Sequence, residues 1–139
     1  MTAFPPRFFV TGDEIDRVVT AFYIEVRRHP VLGPVFATHV QDWPAHEAKI
    51  SRFWHNAILR SGGYEGRPQV VHREAAEVLP EHFPIWLALF DATAARLLAP
   101  QAAASWGAMA HRLGHAFRIG VEDARCQVGG PVGGMPKLR

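Results

Sequence analysis

Hydrophobic residues along the chain recur at the three- and four-residue spacing of α-helices, in segments that prolines and glycines separate. Thr11, followed three residues later by Glu14, forms a capping-box pattern that predicts the start of the first helix. The inward face of this helix is predicted to carry Ile15, Val18, Val19, Phe22 and Val26. The sequence has no alternating strand pattern of useful length and no internal repeat, so it predicts an all-α fold.

Prolines mark the boundaries of the next segments. His29-Pro30 is predicted to end the first helix, because the residue before a proline is kept out of the α region, and residues 32–36 are predicted to form a short turn. Residues 42–44 (DWP) are predicted to start a helix that the glycine pair 62–63 ends. One face of that helix carries His46, Ile50, Phe53 and Ala57.

The second half of the chain is predicted to contain a weak helix over residues 71–79, a helix after Pro80 and a last helix over residues 101–125. The inward residues of the two longer helices are Phe83, Trp86, Leu87, Phe90, Leu97, Trp106, Met109, Leu113 and Phe117. Residues 126–139 lack a core pattern and are predicted to be a flexible tail, which leaves residues 1–125 as one domain. Periodicity alone leaves a four-helix bundle and other all-α folds open.

Composition limits the classes of function. The chain has 139 residues, of which 48% are hydrophobic, so it can bury a core without a disulfide. Its 15 basic and 13 acidic residues are scattered, which argues against a nucleic-acid partner. The lone Cys126 favours a reducing compartment. The apolar run 83–90 is too short to span a bilayer, and no signal-peptide pattern opens the chain, so a cytoplasmic protein is predicted.

Three polar side chains lie on helix faces that are otherwise apolar: Tyr23, His46 and Trp86. Burying such groups is costly unless a polar group lies between them as a hydrogen-bond partner. A small ligand bound to a metal would be a polar group of this kind. His72, in a short segment after a loop, is a candidate metal ligand by residue type alone. His111 and His115 have chelating spacing, but HRLGH lacks the glutamate of an HExxH site, so chance pairing is the preferred interpretation.

Four stretches of the chain together resemble the truncated (two-over-two) hemoglobins, and among these group III. They are AFYIEVRRHPVLGPVF at 21–36, DWPAHEAKISRFW at 42–54, YEGRPQVVHREA at 64–75 and LPEHFPIWLALF at 79–90. The specific feature is the order of the motifs FY, LGPxF, WxxH ending in FW, YxGxPxxxH and HFxxWLxLF. The paired-glycine signatures of the other two groups are not evident, which favours group III.

The resemblance implies a globin-like fold in which two antiparallel helix pairs enclose heme b. His72 matches the proximal iron ligand, Tyr23 and Trp86 match distal ligand-binding residues, and His46 matches the residue at the distal gate. The pocket residues that it implies are Phe36, Ile50, Phe53, Phe83 and Phe90. Candidate partners of the heme propionates are Lys49, Arg52 and Arg67.

These residues imply binding of O2, NO, CO or cyanide at an open iron position, because His72 supplies only one axial ligand. The Tyr23 hydroxyl and the Trp86 N–H can donate to a negatively polarised ligand, each contributing on the order of 1–3 kcal/mol. Slow release favours retention and redox chemistry of O2 over oxygen transport. The alternatives are an NO dioxygenase or peroxidase-like enzyme, served by an unidentified reductase, and a heme-free helical scaffold.

Overall fold

The computed structural model describes residues 7–60 and 79–129, with side chains as far as residue 123. The helices in these ranges are α1 (Gly12–Arg28), α2 (Leu32–His39), α3 (Trp43–Trp54), the π-helical turn His55–Leu59, α4 (His82–Leu97) and α5 (Pro100–Gly129). Over the described residues the fold is therefore all-α, as the sequence predicts. Among the helices described, none is both long and apolar enough to cross a membrane.

Helix α1 is central, because it packs against α2, α3, α4 and the π-helical turn. Thr11 caps it as predicted: the Thr11 hydroxyl accepts from the Glu14 N–H at 3.0 Å, and the Glu14 carboxylate accepts from the Thr11 N–H at 2.9 Å. All five residues predicted for its inward face are buried, and Tyr23 is buried with them. The apolar stripe thus fixes which way Tyr23 points.

Phe90 of α4 joins α1, α3 and α5 at the centre of the core. Its ring centroid lies 5.5 Å from Phe22, 6.2 Å from Trp54 and 5.3 Å from Trp106. Phe90 is 2% exposed and Trp106 is fully buried. Aromatic pairs at this separation contribute beyond their buried area, so this cluster sets the positions of the four helices.

Residues 32–39 form helix α2, where a short turn over 32–36 was predicted. Pro34 lies in the first turn of this helix, where its missing N–H costs nothing. The Nδ1 atom of His29 accepts from the backbone N–H groups of Val31 and Leu32, so these two donors at the start of α2 have a hydrogen-bond acceptor. At Gly33 a Cβ would lie 2.8 Å from the Arg27 carbonyl oxygen, so glycine permits the close approach of α2 to α1.

Helix α3 also ends differently from the prediction. The α-helix ends at Trp54, and the chain continues as the π-helical turn to Leu59. Arg60 then adopts a left-handed conformation with φ of 62°. The helix therefore ends before the glycine pair 62–63, which lies outside the described residues. At the other end of the chain, α5 extends to Gly129, beyond the predicted end at residue 125.

Candidate functional site

A side-chain hydrogen bond from Trp86 of α4 acts to lower the pKa of Tyr23 of α1, which places two of the predicted site residues next to each other. Tyr23 is only 3% exposed. Because an indole nitrogen can only donate, the Trp86 N–H donates to the Tyr23 hydroxyl oxygen and leaves the tyrosine proton for another acceptor. Phe22 contacts Trp86 edge-to-face at 5.0 Å, and Phe90 stacks on it at 5.7 Å. The core residues Phe22 and Phe90 therefore hold the Trp86 ring in place beside Tyr23.

His46 of α3 is the third polar side chain at this place. Its ring centroid lies 5.1 Å from that of Tyr23, with the two planes at 87°. Trp43 at 5.7 Å and Phe36 at 6.3 Å also meet the imidazole edge-to-face. We call Tyr23, Phe36 and Trp43 the aromatic cage of His46. The structure thus brings together the three side chains that the sequence singled out, from three different helices.

The Tyr23 hydroxyl keeps its proton at neutral pH. Burial has the largest effect and raises the pKa of Tyr23 above its ordinary value, and the negative charge of Glu47 raises it further. The hydrogen bond from Trp86 acts in the opposite direction, because it stabilises the phenolate, but does not offset the other two effects. Tyr23 is therefore a neutral O–H donor over the physiological range.

The predicted pocket walls fall into two groups. Phe36, Ile50 and Phe53 pack against the core but are only half-buried, as is Trp86. Phe83 and Phe90 are buried, and Phe90 stacks on the Trp86 ring. Two predicted cofactor partners on α3, Lys49 and Arg52, are exposed.

These residues fit the heme that the resemblance implies. A heme needs broad apolar surface together with a few polar groups that orient its ligands. The half-buried side chains on α2, α3 and α4 supply apolar surface that the protein core leaves partly open. The Tyr23 hydroxyl and the Trp86 N–H supply donors at the same place. The predicted iron ligand His72 and the predicted propionate partner Arg67 lie outside the described residues, so both assignments stay predictions.

Sequence reasoning missed three residues next to the site. The Arg27 guanidinium lies 4.8 Å from the centre of the Trp43 ring, and it donates to the Glu47 carboxylate at 3.1 Å. Burial raises the pKa of Glu47, and the positive charge of Arg27 opposes that shift. The sequence signal for this cluster was weak, because Arg27 lies in α1 whereas Trp43 and Glu47 lie in α3.

Several other histidines have structural partners. The Nε2 atom of His111 lies 2.7 Å from the Asp91 carboxylate, and that of His55 lies 2.9 Å from Asp16. The Nδ1 atom of His82 accepts from the Leu79 N–H at 3.0 Å. Within the side chains that the structure describes, no three or more His, Cys, Asp or Glu residues are grouped to bind a metal ion.

Comparison with known proteins identifies the family. No family model matches the chain. The chain is 35% identical to a group 3 truncated hemoglobin of Campylobacter jejuni, over 59% of this chain and 68% of that protein. The crystal structure of group III truncated hemoglobin from Campylobacter jejuni superimposes with a TM-score of 0.76 and 28% identity, covering 80% of this chain and 91% of that one. The chain therefore belongs to the group III truncated hemoglobins and has their globin-like fold, which makes it a globin-type heme protein.

Proposed function

We propose that this protein binds heme b through His72 and holds O2, NO or a related small ligand beside Tyr23, His46 and Trp86. The observation that carries the proposal is that the Tyr23 and His46 rings meet at 5.1 Å between centroids, beside Trp86 and at a place lined by apolar side chains. When bound, a heme supplies an iron atom with an open coordination position for such a ligand.

Tyr23 and Trp86 have different parts in holding the ligand. Tyr23 offers its hydroxyl proton, because its oxygen already accepts from Trp86. Trp86 polarises the Tyr23 hydroxyl. The Trp86 N–H can also donate to the ligand itself, when the ligand replaces the Tyr23 oxygen as its acceptor. Each hydrogen bond to a ligand with partial negative charge contributes about 1–3 kcal/mol. Two donors therefore slow ligand release and favour retention.

His46 is proposed to lie at the gate through which ligands reach this place. Its ring is half-buried and meets three aromatic rings, which favours one ring orientation over others. A change of rotamer would move the imidazole out of this orientation and so admit a small molecule that the ring otherwise excludes.

The same two donors also favour a second candidate function, oxidation of NO to nitrate or peroxidase-like cleavage of an O–O bond. Donors that polarise bound O2 or peroxide stabilise the negative charge that develops during either reaction. Sustained NO oxidation consumes one electron per nitrate formed, so it requires a reductase. Stopped-flow mixing of the O2-loaded protein with NO separates the two functions. Rapid nitrate formation supports the enzyme, and slow formation without reductase-supported turnover leaves a ligand-binding protein.

The remaining assignments concern the chain as a whole. We assign the globin domain to residues 1–125 and a tail to residues 126–139, of which residues 126–129 continue helix α5. We place the protein in the cytoplasm because the lone cysteine suits a reducing compartment. No nucleic-acid partner is proposed, because the net charge is only +2.

An absorption spectrum of the purified protein tests heme binding. The ferric form, and the reduced form with and without CO, should show the bands of a histidine-ligated heme. His72→Gly should lose heme or regain it only with added imidazole, whereas His115→Ala, at an exposed position of α5, should behave as the wild type. A wild-type protein that takes up no hemin would refute the proposal. Normal heme ligation in His72→Gly would refute the ligand assignment alone.

A further inference from the structure

Arg27 makes three contacts, of which one lies within α1 and two connect α1 to the N-terminal part of α3. Its Nε donates to the Tyr23 carbonyl oxygen at 3.3 Å, and its terminal nitrogen donates to the Glu47 carboxylate at 3.1 Å. Its guanidinium also lies over the Trp43 ring at 4.8 Å from the centroid. A planar guanidinium suits this combination, because it can stack on a ring and donate in its own plane at once.

The ring under Arg27 belongs to the aromatic cage. Trp43 lies 5.9 Å from Tyr23, 6.5 Å from Phe36 and 5.7 Å from His46, measured between centroids. Glu47 follows His46 directly in the chain, so its ion pair with Arg27 also ties the helical turn that carries His46 to α1. Arg27 therefore contacts the cage residue Trp43 directly and, through Glu47, holds the helical turn that carries His46.

We infer that Arg27 and Glu47 are positioning residues that hold Trp43 against His46 and keep the imidazole inside its aromatic cage. This inference rests on the proposed function, in which His46 lies at the distal gate. Loss of the Arg27–Glu47 pair frees Trp43 and the N-terminal part of α3, so the His46 ring leaves the cage more often. Small ligands then enter faster, while the donors Tyr23 and Trp86 stay in place.

The size of the effect follows from the exposure of the pair. The side chain of Arg27 is 40% exposed and that of Glu47 is 16% exposed, so solvent screens the ion pair in part. A cation–π contact and a partly screened ion pair together change an equilibrium by about threefold to tenfold. We expect Arg27→Ala to raise the rate of ligand entry by that factor.

The experiment measures CO recombination after flash photolysis of the reduced, heme-loaded protein. Arg27→Ala should accelerate it, and Glu47→Gln should do so to a smaller extent. Arg28→Ala is the matched control, because this neighbouring arginine pairs only loosely with Glu25, at 3.9 Å, and is 74% exposed. Arg27→Lys keeps the charge but loses the planar fork, so its rate should lie between those of the wild type and Arg27→Ala.

A double-mutant cycle with His46→Ala separates the failure of this inference from that of the proposed function. His46→Ala should accelerate CO entry by itself, and adding Arg27→Ala should then change nothing, because the two residues act through one ring. If Arg27→Ala has no effect alone, or keeps its effect without His46, the inference is overturned. If His46→Ala leaves the rate unchanged, the gate is wrong and the inference with it, while heme binding stands.

A second measurement does not depend on ligand kinetics. Edge-to-face rings shift the NMR signals of the protons they surround, so the ring protons of His46 in the CO-bound protein report on the cage. We expect these signals to move toward their positions in an unstructured peptide in Arg27→Ala and to stay unchanged in Arg28→Ala. Unchanged His46 signals in Arg27→Ala would overturn the inference.

Discussion

Removal of the two donors, singly and together, tests how this protein retains a ligand. Tyr23→Phe deletes only a hydroxyl and keeps a ring that contacts Phe22 at 5.0 Å and His46 at 5.1 Å. Trp86→Phe deletes the N–H and keeps an aromatic side chain next to Phe22 and Phe90. Both variants therefore change hydrogen bonding more than packing.

General hydrogen-bond energies set the expected magnitudes. Loss of one hydrogen bond worth about 1–3 kcal/mol should make O2 dissociate roughly 5 to 150 times faster in Tyr23→Phe. Because Trp86 donates to the Tyr23 oxygen, it makes the tyrosine proton a better donor. The two residues are thus coupled, and residues in one hydrogen-bond network show coupling energies of about 0.5–3 kcal/mol. In the double variant the increase should be smaller than the product of the two single increases.

The assay is stopped-flow displacement of O2 by excess CO in each variant. Thr93→Val is the matched control, because it also removes a buried hydroxyl. The Thr93 hydroxyl lies in α4 and donates to the Leu89 carbonyl of the same helix at 2.9 Å. Its O2 dissociation rate should equal that of the wild type. An unchanged rate in Tyr23→Phe would show that Tyr23 does not contact the ligand. Single effects that multiply in the double variant would refute the coupling.

Two further predictions concern stability. The pKa of Glu47 is raised in the folded protein. Between the ordinary glutamate pKa and this raised pKa, the folded state therefore binds more protons than the unfolded state. The free energy of unfolding should then fall as the pH rises through that range. Urea titrations at several pH values should show this fall in the wild type and in Glu25→Gln but a smaller one in Glu47→Gln; equal falls would contradict the argument. Gly33→Ala places a Cβ 2.8 Å from the Arg27 carbonyl and should cost about 1–3 kcal/mol of unfolding free energy. Gly114→Ala, which meets only the flexible end of a side chain at 3.0 Å, should cost less, and equal costs would argue against the backbone clash.

The sequence predicted α1 well because its signals are local. Thr11 and Glu14 are three residues apart and make both hydrogen bonds of the capping box. The helical spacing of Ile15, Val18 and the other apolar residues of the stripe predicted their burial. A pattern that repeats within a few turns of one helix needs no knowledge of the rest of the fold.

Two local features were not predicted, for different reasons. Residues 32–39 form a helix although Gly33 and Pro34 are typical of turns, because a proline is tolerated in a first helical turn and the glycine meets the backbone of α1. The π-helical turn at His55–Leu59 has no sequence signature, since it differs from an α-helix only by a wider hydrogen-bonded ring.

The site itself lay beyond local reasoning. Apolar helix faces singled out Tyr23, His46 and Trp86, and the cost of burying their polar groups suggested a shared polar ligand, but only the family resemblance gave each residue a role there. The contact of Arg27 with Glu47 spans 20 residues, and nothing in the sequence around either residue indicates the other. Contacts between helices depend on how the helices cross, which the spacing of residues within one helix does not determine.

One stretch of α1 explains why the core and the site are linked. Phe22 contacts both Trp86 and Phe90, Tyr23 accepts from Trp86, and Arg27, one turn later, donates to the Tyr23 carbonyl and lies over Trp43. A shift of α1 along its axis would therefore move the core contact, the ligand donor and the positioning residue together. Because catalytic and binding groups need placement to within about 0.5 Å, the buried stripe that fixes α1 also fixes the distance between donor and ligand. Core substitutions that let α1 move should for this reason change ligand release even when they lie far from His46.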